Sequence, residues 1–213
     1  MAISSGTGGR RARKKRQTAE AISHAAAVLF AERGYEHVTI TDIAEAADVS
    51  EQTVYNHFPT KEHLVFDRAA EFEADLRARL QQRLNGTPIV DAIRDDLLEL
   101  LDMVAGLPAE RVRGGMPYLV ASSPALRRWQ LQMTAGHAET LAAILAEEAE
   151  MPSPDPATRI IAHALTAPYQ VITDELGRRF LAGQPPRDAA HALRPAVNHA
   201  FNALARGLGG DQQ

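Results

Sequence analysis

Apolar residues recur at spacings of three and four positions along almost the whole chain, which is the periodicity of an amphipathic α-helix. In the first such segment Ile22, Ala26, Leu29 and Phe30 fall on one face. The sequence shows no alternation of apolar and polar residues of the kind that marks a half-buried strand. Alanine is abundant and aromatic residues make up only 5% of the chain, which favours helices over strands. These features predict an all-α fold, with 45% hydrophobic residues available for its core.

Glycine and proline divide this pattern into separate helices. The predicted helices cover residues 18–33, 41–47, 51–58, 60–84, 87–104, 123–150, 155–181 and 187–208, with short helical pieces and loops between 105 and 123. We expect three parts: a flexible basic arm over residues 1–16, a three-helix N-terminal domain over 17–60, and a larger helical domain over 61–213.

Positive charge is concentrated near the N-terminus, although the formal net charge of the chain is −4. Six of the seven residues from 10 to 16 are cationic, namely Arg10, Arg11, Arg13, Lys14, Lys15 and Arg16. From Glu20 onward the sequence is net acidic. A basic arm on an acidic body is typical of contact with nucleic acid. The alternative is a solvated tail that acts only as a general patch of charge.

The residue content gives no support to several other classes of function. The chain has no cysteine, which excludes disulfides, thiol catalysis and cysteine-ligated metals. Its eight histidines form neither a His-Glu-x-x-His motif nor a close cluster with carboxylates, and no Gly-x-Ser-x-Gly motif occurs. No apolar run reaches the roughly 18 residues of a membrane helix, and the first nine residues lack the apolar centre of a signal peptide. We therefore expect a cytoplasmic protein that is not an enzyme and has no metal, cofactor or membrane partner.

Two short predicted helices, 41–47 and 51–58, are joined by a tight turn at Asp48-Val49. Ser50 is placed to cap the second helix, and Pro59 ends it. Two helices of about seven residues on either side of so short a turn are typical of a helix-turn-helix. An ordinary helical hairpin with a polar outer face is the alternative.

The second of these helices has one apolar face and one polar face. On a helical wheel Val54 and Phe58 point one way, whereas Gln52 and Asn56 point nearly the opposite way. Glutamine and asparagine can each form two hydrogen bonds with adenine in the major groove. The outward face therefore has the chemistry of a helix that reads DNA bases.

Neighbouring polar residues extend this predicted surface. Tyr55 and Thr53 can bond phosphates, Lys61 adds a charge, and the helix start at Thr41 offers backbone N–H groups. Glu51 would repel phosphate, although it can accept a hydrogen bond from cytosine. The predicted DNA contacts in this region are Thr41, Ser50, Glu51, Gln52, Thr53, Tyr55, Asn56, His57 and Lys61.

Residues 17–64 resemble the DNA-binding domain of TetR-type repressors. The resemblance lies in AVLFAERGY (27–35), VTITDIAEAA (38–47), VSEQTVYNHF (49–58) and KEHL (61–64). Asp48 departs from the family, which usually has glycine at the turn, but aspartate tolerates a left-handed backbone. The resemblance implies an all-α homodimer on double-stranded operator DNA, with a small-molecule site in its C-terminal domain. It does not imply which effector binds there.

The last two predicted helices are apolar on more than one side. In the final helix Leu193, Val197, Phe201, Leu204 and Leu208 form one row. A helix apolar on several sides buries more surface than the core of one subunit offers, so we expect a homodimer through these two helices. A plain pair of core helices is the alternative.

A second predicted site lies in the middle helices. Its candidate residues are large apolar side chains with a few polar groups, namely Phe66, Met103, Met116, Tyr118, Trp129, Met133, His137 and Tyr169. Ordinary core packing is the alternative for each of them. The sequence thus predicts a transcriptional regulator, specifically a repressor released from a pseudo-palindromic operator by a small apolar ligand. The competing hypothesis is a helical small-molecule-binding protein or enzyme whose N-terminal hairpin is structural.

Overall fold

The computed structural model describes residues 6–66, residue 78 and residues 87–208. Over these ranges the chain forms eight α-helices and no strand: α1 Gly6–Arg33, α2 Ile40–Ala46, α3 Glu51–His57, α4 Ile89–Ala105, α5 Met116–Ser122, α6 Pro124–Glu148, α7 Pro156–Leu181 and α8 Pro186–Leu208. Short 3-10 turns occur at Tyr35–His37, Glu62–Leu64 and Ala109–Arg111. The predicted all-α fold is confirmed. The predicted helix 60–84 falls mainly outside the described residues.

Several helix ends follow from the residues next to them. Gly34 ends α1 with φ 79°, a conformation that glycine adopts without strain. The hydroxyls of Ser50 and Ser123 accept from backbone N–H groups at the starts of α3 and α6, and the Asp155 carboxylate does the same for α7. Helix α2 begins one residue earlier than predicted, because Thr39 forms a capping box with Asp42.

Helix α1 begins much earlier than predicted. We expected its start near Thr18 and a flexible arm before it, but the helix runs from Gly6 and includes the basic residues 10–16. The hydroxyl of Thr18 donates to the carbonyl oxygen of Lys14 at 3.0 Å, so Thr18 lies inside the helix and does not cap it. Arginine, lysine and alanine are good helix formers, and a run of them continues a helix.

The first hydrophobic core holds the three N-terminal helices together. Ile22 and Phe30 of α1, Ile43 of α2 and Val54 of α3 are almost completely buried in it. The same core includes Leu126 of α6 and also Leu119 and Val120 of α5. The N-terminal helices therefore pack directly on the domain that follows them.

A second core joins α4, α6, α7 and α8. Helix α4 packs along α8, whereas α7 packs against both α5 and α6. Leu97 and Leu101 of α4, and Leu165 of α7, are completely buried there. An ion pair between Arg194 and Asp102 also joins α8 to α4.

The apolar row of α8 faces its own subunit, not a partner. Leu193, Val197 and Phe201 are all buried in the second core of the isolated chain. These three residues pack within their own subunit, largely against α4, so a homodimer through the last two helices, which stays a prediction, would use the other faces of those helices. The large apolar side chains that stay uncovered on the last two helices include Ile160 and Val171 of α7, which are 69% and 62% exposed.

Candidate nucleic-acid interface

The turn between α2 and α3 sets the position of α3. Asp48 has φ 53°, in the left-handed region that aspartate tolerates better than most residues. The Val49 N–H donates to the Ala44 carbonyl at 2.9 Å, and the Asp48 N–H donates to the Glu45 carbonyl at 3.2 Å. The tight turn predicted from the sequence is confirmed, and it delivers the chain directly into the Ser50 cap of α3.

Helix α3 presents the polar face that the sequence predicts. Val54 is completely buried and Phe58 is nearly so, which fixes the helix against α1 and α2. Gln52, Asn56 and Tyr55 are exposed, and Tyr55 keeps 45% of its surface accessible. The Gln52 amide donates to the Asn56 side-chain oxygen at 3.1 Å, so the two amides lie side by side.

The other polar residues around α3 bond to one another. The Thr41 hydroxyl donates to the Glu51 carboxylate at 2.7 Å, which ties α2 to α3. The Ser50 and Thr53 hydroxyl oxygens lie 2.8 Å apart, and Ser50 also caps the helix. Glu51, whose charge is unfavourable beside phosphate, thus has a structural partner within the helix-turn-helix.

Lys61 is directed inward, unlike the exposed phosphate contact we expected. Its ammonium donates to the carbonyl oxygen of Tyr35 and lies 4.1 Å from the centre of the Tyr35 ring. Burial lowers the pKa of Lys61, against the opposing effect of nearby carboxylates. The Tyr35 hydroxyl donates to Glu62 at 3.0 Å, and burial followed by this bond raises the pKa of Tyr35. The sequence does not reveal this arrangement, because it depends on the fold around residue 35.

The basic residues of α1 remain accessible. Arg11, Arg13, Lys14, Lys15 and Arg16 are all exposed. Arg16 approaches Glu20 at 3.5 Å, but both side chains are largely exposed and such a pair is weak. The side chain of Arg10 lies outside the described part of the structure. His57 is half-buried and its ring lies 6.3 Å from that of Phe58.

Some of the residues predicted to bind a small molecule lie together where the two domains meet. Trp129 stacks on Phe66 with ring centres 5.2 Å apart and contacts the His63 ring edge-on at 4.9 Å. Met116 and Met133 pack against the same core. Two members of this group, His63 and Phe66, follow α3 closely in sequence, at the turn Glu62–Leu64 and just after it.

The remaining members of that set are placed differently. Met103 is 61% exposed on α4, so in the isolated chain it does not line an interior site. The Tyr169 hydroxyl donates to Asp96 at 2.6 Å, and its ring packs on the second core. Tyr118 packs on both cores, whereas His137 is half-buried on α6. Spacing along the sequence does not distinguish these residues from those that lie beside Trp129.

Two contacts between the domains are not evident from the sequence. A Cβ added at Gly114 would lie 2.4 Å from the carbonyl oxygen of Ala27, so the loop before α5 is pressed against α1. The Ser123 hydroxyl donates to the Glu36 carboxylate at 2.6 Å, beside the first core. The paired glycines at 114 and 115 are visible in the sequence, where they indicate flexibility but equally allow a close approach of two backbones.

Two structural features are absent from the residues that the structure describes. Within the ranges that the structure covers, no three His, Asp or Glu side chains are grouped closely enough to hold a metal ion. Among those same residues, no helix combines the length and apolar character needed to cross a membrane.

Comparisons with known proteins agree with this geometry. The family model for bacterial regulatory proteins of the tetR family matches residues 22–67, which contain α2, α3 and most of the first core. The HTH-type transcriptional regulator TcmR of Streptomyces glaucescens is 31% identical over 142 residues, or 65% of this chain and 63% of TcmR. That alignment spans less than two thirds of TcmR. The HTH-type transcriptional repressor KstR2 of Rhodococcus jostii is 40% identical over 57 residues, or 27% of this chain and 28% of KstR2.

A solved structure extends the likeness to the rest of the chain. NalD of Pseudomonas aeruginosa, the secondary repressor of the MexAB-OprM multidrug efflux pump, superposes with a TM-score of 0.57 and 25% identity. The superposition covers 87% of this chain and 97% of NalD. Residues 22–67 therefore form a domain of the tetR family of bacterial regulatory proteins, whose helix-turn-helix has a polar, exposed outer face, and the helical domain packed behind it gives the chain a fold similar to that of NalD.

Proposed function

We propose that this chain is a cytoplasmic, ligand-responsive repressor that binds a pseudo-palindromic operator as a homodimer, and that it is not an enzyme. The observation that carries the proposal is the outer face of α3, where Gln52, Tyr55 and Asn56 are exposed while Val54 and Phe58 fix the helix from behind. The relatives support repression in particular, since KstR2 and NalD are both described as repressors.

On DNA, Gln52 and Asn56 would read bases in the major groove. Each amide can pair with the adenine edge by two hydrogen bonds, once the bond between the two side chains has opened. Tyr55 would donate to a phosphate and fix the register of the helix. Thr41, Ser50, Thr53 and Glu51 would act mainly by holding α2 and α3 in place, because their polar groups already bond to one another.

The basic end of α1 would add affinity without sequence preference. Its exposed cations stand on a continuous helix, so they can follow a phosphate backbone as one rigid element. Such contacts release counterions, which makes the affinity depend strongly on salt. Lys61 is not included among these contacts, because its ammonium is bonded to the Tyr35 carbonyl.

The dimer would form through the exposed faces of α7 and α8. The uncovered side of α7 carries apolar and small residues at helical spacing, namely Ile160, Ala164, Ala167 and Val171. The uncovered side of α8 carries a similar row of small residues, Ala192, Ala196, Ala200 and Ala203. Two such helices from each subunit would form a four-helix bundle with its own apolar interior. A two-fold axis through it would present two α3 helices to successive turns of the major groove, about 34 Å apart or more.

The effector would bind where the two domains meet. Trp129 and Phe66 stack there, and Phe66 lies only eight residues after Phe58, the C-cap of α3. A ligand that alters this packing would change the separation of the two α3 helices in the dimer. Its effect on operator affinity equals its difference in affinity for the two arrangements, and DNA must weaken ligand binding by the same factor.

One experiment separates this proposal from a helical carrier or enzyme with a merely structural hairpin. The protein is incubated with random duplex fragments, and the bound fraction is recovered and sequenced. We expect a pseudo-palindromic motif, bound with an affinity that falls steeply as salt rises. Recovery of no motif, with no salt-dependent binding to duplex DNA, would support the carrier or enzyme instead.

A further inference from the structure

We propose that the side-chain amide of Gln130 is the polar anchor of the effector site, and that it selects an uncharged ligand bearing a hydroxyl group. The proposal rests on the proposed ligand-responsive function and specifies the chemical class of its ligand.

Gln130 is a buried polar residue with an unsatisfied acceptor. It lies on α6 with only 5% of its surface exposed, and its Oε1 atom is buried without a hydrogen-bond donor among the residues that the structure describes. Buried polar groups almost always have partners, because an unmade bond costs the full desolvation of the group. A hydrogen-bond donor that comes from outside the chain would satisfy this oxygen.

The position of Gln130 lies between the two cores. Leu126, four residues earlier on α6, belongs to the first core, and Leu141, eleven residues later, belongs to the second. These three residues share one face of the helix at 100° per residue. Between them that face carries the half-buried Met133 and His137 in place of a continuous apolar row. The two cores are thus separated along α6 by a stretch that is partly polar.

Helix α7 contributes a further polar residue at a similar level. The short linker after α6 makes α6 and α7 antiparallel neighbours. Gln130 and Thr173 each lie about eighteen residues from that linker, so at an equal rise per residue they are at a similar height. Thr173 is only 6% exposed. Tyr118 of α5 packs on both cores, so it also lies where they meet.

The composition of the buried polar groups selects the ligand class. In the part of the chain that the structure describes, the buried polar side chains are Ser123, Gln130, Thr166 and Thr173, and none of them is charged. A carboxylate or ammonium placed beside Gln130 would be desolvated without an opposite charge among these residues. A hydroxyl both donates and accepts, so it complements the glutamine amide in either orientation. An apolar body with one hydroxyl therefore fits this position best.

The first test uses the protein without ligand. Gln130→Met replaces the amide by an apolar side chain of similar length, and Gln132→Met makes the same change at an exposed position of the same helix. If the carbonyl has no partner, Gln130→Met should raise Tm by about 2–8 °C. Gln132→Met should leave Tm nearly unchanged. A lower Tm for Gln130→Met would mean that the amide already has partners in the folded chain, and the proposal would be overturned.

The second test compares head groups on two fixed skeletons. Binding is measured by calorimetry for decan-1-ol, decanoate and decylammonium, and for 2-naphthalenemethanol, 2-naphthoate and 2-naphthylmethylammonium. We expect an alcohol to bind more tightly than its matched anion and cation, to lose affinity by about tenfold in Gln130→Met, and to be unaffected by Gln132→Met. The proposal would be overturned by any of three results. These are preference for a charged head group, equal affinity of the parent and Gln130→Met for the alcohol, and no binding of any of the six compounds.

This outcome is distinguishable from failure of the proposed regulatory function. Gln130 is buried on α6 and is not part of the exposed face of α3, so the ligand-free Gln130→Met variant should bind operator DNA like the parent. If the parent binds no operator but shows the alcohol preference, the regulatory function fails and the ligand class stands. If the parent binds the operator but shows no preference for the alcohol, the ligand class fails and the regulatory function stands.

Discussion

The contact between Gly114 and α1 makes a specific prediction about how the two domains are joined. An ideal Cβ at position 114 would lie 2.4 Å from the Ala27 carbonyl oxygen and 3.2 Å from its carbon. Ordinary contact begins near 3.4 Å, so Gly114→Ala requires the loop or α1 to move by roughly 1 Å. Overpacking of this kind costs about 1–3 kcal/mol. The stiffer unfolded chain of the alanine variant offsets about 0.4–1 kcal/mol of that cost.

Gly115→Ala is the matched control, because the same change at the next residue meets more open space. Its Cβ would lie 3.3 Å from the Val112 carbonyl oxygen, and the backbone at Gly115 has φ −84°, which alanine adopts freely. We expect Gly114→Ala to lose about 1–2 kcal/mol and Gly115→Ala to change by less than about 0.5 kcal/mol in urea denaturation at one fixed protein concentration. Equal stability of the two variants would show that the loop does not press on α1.

Three further outcomes test separate parts of the structure. Hydrogen bonds from Thr39 hold the pKa of Asp42 below its usual range, so the stabilisation by Asp42 is full at neutral pH and is lost as pH falls through that lowered pKa. The Asp42→Asn variant should therefore lose less stability than the parent as pH falls, and an equal loss in the two proteins would contradict this. Val171→Glu changes an exposed side chain and should give folded monomers in sedimentation. Phe201→Glu places a charge in the core of the subunit and should unfold the chain, so a folded Phe201→Glu monomer would refute the assignment of Phe201 to that core. Replacing all six cations of residues 10–16 by glutamine should make the slope of log affinity against log salt shallower, by up to about 0.9 for each phosphate that is no longer neutralised. An unchanged slope would mean that these residues do not bind DNA.

The parts of the fold that depend on neighbouring residues are predictable from the sequence. Ser50, Ser123 and Asp155 mark helix starts in the sequence, because a side-chain cap acts within three residues of its own position. The inward direction of Val54 and Phe58 follows from helical periodicity alone, and the structure places both in the first core.

The parts that depend on distant residues are not predictable in this way. The apolar row containing Phe201 suggests a dimer surface in the sequence, because its partner α4 lies about a hundred positions earlier in the chain. Lys61 resembles a free cation there, since only the folded structure brings it to the Tyr35 carbonyl. The unsatisfied side-chain oxygen of Gln130 likewise becomes apparent only when its surroundings are known. Periodicity identifies the buried face of a helix, but not the element that covers it.

The most direct test of the proposed function is the affinity of α3 variants for the selected operator. Gln52→Ala and Asn56→Ala should each weaken specific binding by about 1–3 kcal/mol, which is about 5- to 150-fold in Kd. Their affinity for unrelated duplex DNA, their helicity and their Tm should match the parent, because both side chains are exposed. Gln132→Ala, an exposed glutamine on α6, is the control and should bind like the parent. If both α3 variants bound the operator as tightly as the parent, the outer face of α3 would not read DNA and the proposed function would be contradicted.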